Sequence, residues 1–531
     1  MELMVSTTVV LGLTVMTLIG FTIAGMWHSQ GRVTSIEDLI SARNQAGTNR
    51  ITATLVASVM GVWILFAAPE AGAGFGIAAV IGYAIGEAVP MYVYSRVGPR
   101  IRSLIPSGHS LTEYARARYG TTMYAFVVVV SGLYMFVFVA AELTGIAGAL
   151  AFVADVPQWQ TATLVGGFVL LYTGYGGLRA SIFTDTVQAV IVIPLLAVAF
   201  IATVFALGGP TSVLGNITTA DPALLDPTTA AGFQFGLALA FAILGAELLN
   251  QTWWQRIYAG TDSESITVAF RRATILNGFI VFIAAFLGVV ATGHADIVTD
   301  PASAAYNADV AFFVLLQTAV PEWVIVVVVL LALSLVMSSV DTLFNALSSL
   351  ITVDLARIYP VSTDRQLRWI ARGFTLCIAF AAIYVSVRAQ SVLRLFFLAD
   401  LLGTALAFPL VYGLYSERLT GFGALAGSLS GLAVGLAYFP DLRGFITAIP
   451  LVGPALPSAD PLYLTAFGGS FLTSIGVTVV ISRLTTTRFD LDTLGTEITR
   501  LDEPIADGGQ ASAEKPSTCP DPPSNDECNR D

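Results

Sequence analysis

Apolar stretches of about 18 residues or more recur along nearly the whole 531-residue chain, and nothing else in it restricts the possible folds as much. A run such as AFVVVVSGLYMFVFVAA (residues 125–141) has no water-facing side. In lipid a backbone satisfies its own hydrogen bonds only as a helix or a closed barrel. Barrel strands alternate in segments of about ten residues, so continuous runs select the helix. With 55% hydrophobic and 11% charged residues and a mean hydropathy of +0.77, a soluble domain is excluded. The expectation is an all-α, multi-pass membrane protein.

Thirteen transmembrane helices are expected, at residues 4–25, 51–74, 76–97, 121–153, 158–176, 182–207, 229–252, 270–292, 322–353, 368–387, 392–415, 420–439 and 462–482. An odd number puts the termini on opposite sides. With the N-terminus outside, only Arg388, Arg394 and Arg443 of the 25 basic residues face the exterior, so the positive-inside bias places the C-terminus in the cytoplasm. The first span has a weak basic region and no small-residue cleavage site, and reads as retained.

Residues 489–531 carry 11 acidic and 3 basic residues among Pro, Gly, Ser and Asn, the composition of a disordered cytoplasmic tail. Lys515 is the one lysine, and outward loops carry acids such as Asp221, Asp226, Asp296, Asp300, Asp309, Asp441 and Asp460, a surface suited to a salt-rich setting. Cys377 lies in a span and Cys519 and Cys528 in the tail, so no disulfide framework is implied. His28, His109 and His294 are far apart in loops, which leaves no constellation for metal or nucleophilic catalysis, and no enzyme is expected. The expected partners are a small organic solute and the lipid bilayer, with no nucleic acid and no obligatory protein partner.

Polar residues inside spans are expensive and mark function. Ser334, Ser338, Asp341, Asn345, Ser348 and Thr352 follow at steps of 4, 3, 4, 3 and 4, which stacks them on one helix face at and below the bilayer midplane. The stretch ASVMGVWILFAAPEAGAGFG (57–76) puts Pro69 and four glycines in membrane beside Glu70, and predicts a broken helix; a proline kink with Glu70 at the outer interface is the alternative. Glu87 and Glu142 are single carboxylates in apolar helices, either hydrogen-bonded structural residues or site residues. Asp185, in GGLRASIFTDTVQ (176–188), sits in the first turns of the sixth span, where the helix dipole alone or a cation-handling role would explain it. The seventh span ends in ILGAELLNQTWWQR, again glycine-interrupted with a carboxylate, Glu247. Two such helices five spans apart point to an inverted five-plus-five repeat with a binding site between the breaks.

The ordered motifs GGLRASIFTDTVQ, NQTWWQR (250–256) and MSSVDTLFNALSSLITVDL (337–355) resemble the sodium:solute symporter family, over about residues 37–431. The resemblance implies the LeuT-type inverted repeat with one extra N-terminal helix. The chain then divides into residues 1–48 (first helix and cytoplasmic loop), 49–415 (ten-helix transport core), 416–488 (two additional helices) and 489–531 (tail). It further implies a sodium ion held by carbonyls of Ala57, Met60 and Leu335 and hydroxyls of Ser338 and Ser339, with Asp185 near a second cation or gating position. Asp341 and Asn345 would line the inward exit or form a helix–helix hydrogen bond. Read alone, adjacent serines in a membrane helix more often back-bond to a carbonyl one turn earlier.

The motif departs from the family at the solute. Proline-type members have an aspartate and a serine where this chain has Val59 and Gly61, and sugar-type members have an asparagine near the position of Ile243. An amino acid, urea or a monocarboxylate remain, with Trp63, Glu70, Glu247, Gln251 and Trp254 as candidate lining. The expected function is sodium-coupled import by alternating access, and a sodium-independent facilitator or channel of the same fold is the alternative.

Overall fold

The computed structural model describes residues 5–32, 39–358, 364–389 and 391–498. Lys515, Cys519, Cys528 and most of the acidic tail lie outside these residues. All described regular structure is helical: α1 (Thr7–Ser29), α2 (Thr48–Val59), α3 (Ala67–Leu104), α4 (Leu111–Tyr119), α5 (Thr121–Ala154), α6 (Gln158–Ala206), α7 (Pro210–Ala220), α8 (Ala230–Leu249), α9 (Gln251–Ala259), α10 (Ser263–His294), α11 (Ala311–Ala319), α12 (Glu322–Ile358), α13 (Asp364–Ser386), α14 (Val392–Tyr412), α15 (Gly421–Tyr438), α16 (Pro440–Thr447), α17 (Leu462–Leu484) and α18 (Leu494–Glu497).

Among the described residues ten helices are long and apolar enough to cross a membrane: α1, α3, α5, α6, α8, α10, α12, α14, α15 and α17. The ten are fewer than the thirteen expected, in part because two are longer than a bilayer needs. Helix α3 has 38 residues and α6 has 49, and each contains one glycine in the left-handed region, Gly76 at φ 68° and Gly177 at φ 56°. Only glycine enters that region without a side-chain penalty. These two glycines turn the chain where the second and third, and the fifth and sixth, expected spans meet.

Helix α12 is central and α1 peripheral: 78% of the residues in the most apolar window of α12 are buried, against 28% in α1. Side chains such as Val190, Ile201 and Phe205 on α6 and Phe279 on α10 are exposed, as lipid-facing residues must be.

Two interruptions shape the centre. Helix α2 stops at Val59, passes through extended Gly61 into a 3-10 turn over Val62–Leu65, and resumes at Ala67. Pro69 is the third residue of α3, in the first turn, where its missing N–H costs no helical bond. The break therefore lies ahead of the proline, at residues 60–66. Helix α8 ends at Asn250, whose extended backbone and side chain cap α9 by accepting from the Thr252 N–H at 3.0 Å.

Candidate functional site

At the first interruption the backbone is released from helical pairing. The Gly61 N–H donates to the Val59 carbonyl at 2.9 Å and the Val62 N–H to Glu142 Oε2 at 2.7 Å. The Ile64 N–H donates to the Gly61 carbonyl at 3.3 Å. In a continuous helix these three donors would serve the carbonyls of Ala57, Ser58 and Met60. Those oxygens are thus left without their helical partners at the break.

Helix α12 meets this break through hydroxyls, with Thr342 Oγ1 and Ser58 Oγ 3.0 Å apart. Ser339 Oγ donates back to the Leu335 carbonyl at 3.3 Å, while Ser338 turns to the other side and donates to Asp185 Oδ1 at 2.6 Å. The two adjacent serines therefore part, Ser338 toward α6 and Ser339 toward the cavity described below.

A dense polar cluster lies between α2, α6, α9 and α12. Past Gly177, Ser181, Thr184 and Asp185 share one face of α6. Asp185 Oδ2 accepts from Thr54 Oγ1, from Ser58 Oγ at 3.2 Å and from Arg256 Nη2 at 3.1 Å. Arg256 and Asp185 are an ion pair with both side chains fully buried. The same Nη2 donates to Thr342 Oγ1 at 2.7 Å, and Nη1 has no hydrogen-bond partner. Asp341 accepts from Tyr172 and Ser181 at 2.8 Å and from Thr184 at 3.0 Å. The Asn345 side chain donates to the Asp341 carbonyl at 3.0 Å.

Beside the cluster lies a narrow cavity of about 30 Å³, room for little more than a water molecule. Ser58, Ser339 and Thr342 form its floor, so cluster and cavity share residues. Trp63, Tyr83, Phe138 and Phe396 supply aromatic walls, with Trp63 stacked on Tyr83 at 5.4 Å between ring centres. Glu87, Glu142, Glu247 and Asp400 also line it.

Of the five candidate lining residues, Trp63 and Glu247 line this cavity. Glu70 lies away from this cavity, in two other depressions with Asp309, bonded to Tyr306. Gln251 accepts from the Leu111 N–H at 2.8 Å and donates to the His109 carbonyl at 2.9 Å, pinning α9 to the start of α4. Trp254 stacks on Tyr114 of α4 at 5.6 Å. Sequence reasoning gave no role to Asp400, Thr342 or Arg256. Asp400 is a lone carboxylate in an apolar run, the same signal that singled out Glu87. Arg256 ends the NQTWWQR motif, and no local signal distinguishes a buried arginine there from a cytoplasmic one.

The model of the family described as sodium:solute symporter family matches residues 39–431, more than half of the chain. The spermidine transporter DUR31 of Candida albicans is 24% identical over 89% of this chain and 90% of its own length. The sodium/proline symporter of Haemophilus influenzae is 25% identical over 76% of this chain and 83% of its own. The substrate-bound, outward-open structure of a Na⁺-coupled sialic acid symporter superposes with a TM-score of 0.72 at 16% identity, covering 90% of this chain and 98% of that one, a likeness of fold. With a family match that takes in both broken helices and the hydroxyl-bearing α12, this chain belongs to the sodium:solute symporter family and is a multi-pass membrane transporter of small organic solutes, not an enzyme.

Proposed function

We propose that this chain is a sodium-coupled secondary active symporter that imports its solute by alternating access. In this reading α6 crosses twice, α2 and the first turns of α3 make one broken crossing, α3 beyond Gly76 makes the next, and α13 makes a further one. Thirteen crossings then place the N-terminus outside and the C-terminus inside, around a five-plus-five core. The observation that carries the reading is that the break takes the helical donors from the carbonyls of Ala57 and Met60 beside Ser58, which meets Thr342 on the hydroxyl-bearing face of α12.

Sodium is a hard cation, and neutral oxygens replace its water while binding weakly enough to release it. Carbonyls of Ala57, Met60 and Leu335 with hydroxyls of Ser338 and Ser339 would supply that set once Ser338 and Ser339 rotate from their present partners. Sodium so bound ties α2 to α12, and the solute fills the adjoining cavity before the core rocks. The membrane potential contributes roughly 2.3 kcal/mol per charge per 100 mV to inward movement of the loaded form.

Arg256 bears on the second cation position. Its guanidinium already neutralises Asp185, which favours a gating role for Asp185 and Asp341 over a second bound ion.

In proteoliposomes, Ser338→Ala combined with Ser339→Ala is expected to raise the sodium concentration for half-maximal uptake roughly tenfold, from loss of two ligands at a weak site. Uptake that does not change when external sodium is replaced by choline would instead identify a facilitator.

A further inference from the structure

Four carboxyl groups from four different helices line the central cavity. Glu87 comes from α3, Glu142 from α5, Glu247 from α8 and Asp400 from α14, and they are 5%, 1%, 6% and 5% exposed. No arginine or lysine lines the cavity. Glu142 and Glu247 each spend one oxygen within the protein, Glu142 Oε2 on the Val62 N–H and Glu247 Oε2 on Trp253 Nε1 at 2.6 Å. Glu87 Oε2 and Glu142 Oε1 are buried without any hydrogen-bond partner. A buried carboxylate oxygen left unpaired is costly, so it calls for a partner that the described chain does not supply.

The arrangement also limits what that partner is. Among the described residues no group of three or more acidic, histidine or cysteine side chains is close enough to hold a metal ion. The carboxyl groups are spread round the cavity instead of converging on a point. An ammonium group brings one positive charge and three N–H donors. Four carboxylates on four helices therefore match two or more such groups on one flexible chain. The stacked Trp63 and Tyr83 add aromatic faces that attract alkylammonium cations and pack against methylenes. An uncharged or anionic solute would leave these oxygens unpaired or repelled. Towards the outside, Glu70 and Asp309 line both neighbouring depressions, with Arg394 in one of them, and the acidic outer loops raise the local concentration of cations.

We infer that the solute is a linear organic cation carrying two or more amino groups, a polyamine, held by Glu87, Glu142, Glu247 and Asp400 once the narrow cavity between their helices widens to admit it. This inference rests on the symport reading above, and one experiment separates the two. The full chain in proteoliposomes is assayed with radiolabelled spermidine, putrescine, butylamine, proline and urea, each with and without an inward sodium gradient.

Spermidine uptake is expected to exceed that of butylamine, which carries one amino group, by at least tenfold in the unaltered protein. Glu87→Gln and Asp400→Asn, each near-isosteric, should each raise the spermidine concentration for half-maximal uptake by about tenfold at unchanged sodium dependence. Sodium-driven uptake of proline or urea that spermidine does not inhibit would overturn the polyamine assignment and leave symport standing. Charge-selective spermidine uptake without a sodium requirement would keep the assignment and overturn the coupling. Equal uptake of spermidine and butylamine, or no uptake of either, overturns the assignment whether or not the variants fold.

Discussion

Arg256→Met is expected to abolish uptake and to destabilise the protein by about 3–5 kcal/mol, the cost of removing one partner from a buried ion pair. The magnitude follows from where the pair sits. Arg256 and Asp185 are both fully buried, and the guanidinium also donates to Ser58 and Thr342. Without it Asp185 retains only the hydroxyls of Thr54, Ser58 and Ser338. Hydroxyls bond a carboxylate but do not neutralise its charge. The double variant Arg256→Met with Asp185→Asn removes both charges and should recover most of the stability, since a buried pair is often replaceable by neutral groups. It should not recover transport. Thermal unfolding of the purified protein in detergent, run beside uptake, reads both effects. A single variant as stable as the parent would mean that the ion pair is not what joins α9 to α6 and α12.

The inward path explains why transport should fail in the double variant. Ser338, the expected sodium ligand, donates to Asp185, and Arg256 reaches Thr342 on the floor of the cavity. A change at Asp185 is therefore felt at Ser338 without any contact to the solute. In the proposed cycle Ser338 leaves Asp185 when it turns to sodium, and the Arg256 pair keeps Asp185 compensated during that exchange. With Asp185→Asn the side-chain amide would still accept a hydrogen bond from Ser338 but would have no charge with which to hold Arg256 or steer a cation inward.

How much of this was legible in the sequence follows from the range of each interaction. Apolar runs are local, so the ten long helices were visible in the chain, and Gly76 and Gly177 turn it where residues alone separated spans. The broken helix was visible in its glycines and proline, but Pro69 pointed one to two turns too late. A proline in a first helical turn is harmless, and the interruption is fixed by Gly61 and by an acceptor on another helix, Glu142. The polar stripe on α12 was a matter of spacing, yet which neighbour each hydroxyl meets was not: Ser334 only back-bonds to the Leu330 carbonyl at 2.9 Å, while Ser338 crosses to α6.

Helix α9 shows the same limit. Gln251 and Trp254 share a face by their three-residue spacing, and that face meets α4. Trp253 and Arg256 share another, which meets Glu247 and Asp185. Sequence reasoning put Gln251 and Trp254 at the solute and gave Trp253 and Arg256 no role, and packing reverses that order. The four cavity carboxylates are the extreme case. Glu87 and Asp400 are more than three hundred residues apart, and each looks in isolation like a stray charge in an apolar helix.

Glu142 combines both themes and gives the second large effect. One of its oxygens accepts from the Val62 N–H and so braces the interruption of α2, and the other is unpartnered at the cavity. Glu142→Ala is expected to leave a buried N–H without an acceptor, at a cost of about 2–3 kcal/mol, and to reduce uptake to background. Glu142→Gln keeps an amide oxygen for the Val62 N–H and should stay within about 1 kcal/mol of the parent, while spermidine affinity still falls roughly tenfold for loss of the charge. Gly61→Ala tests the same clasp from the opposite side, because a Cβ there would overlap the Glu142 carboxylate, and it should resemble Glu142→Ala in stability. Unfolding measurements on the three variants, set beside spermidine uptake, separate bracing from charge. If Glu142→Ala proved as stable as the parent, Glu142 would not be what holds α2 open, and the carbonyls of Ala57 and Met60 would owe their release to Gly61 alone.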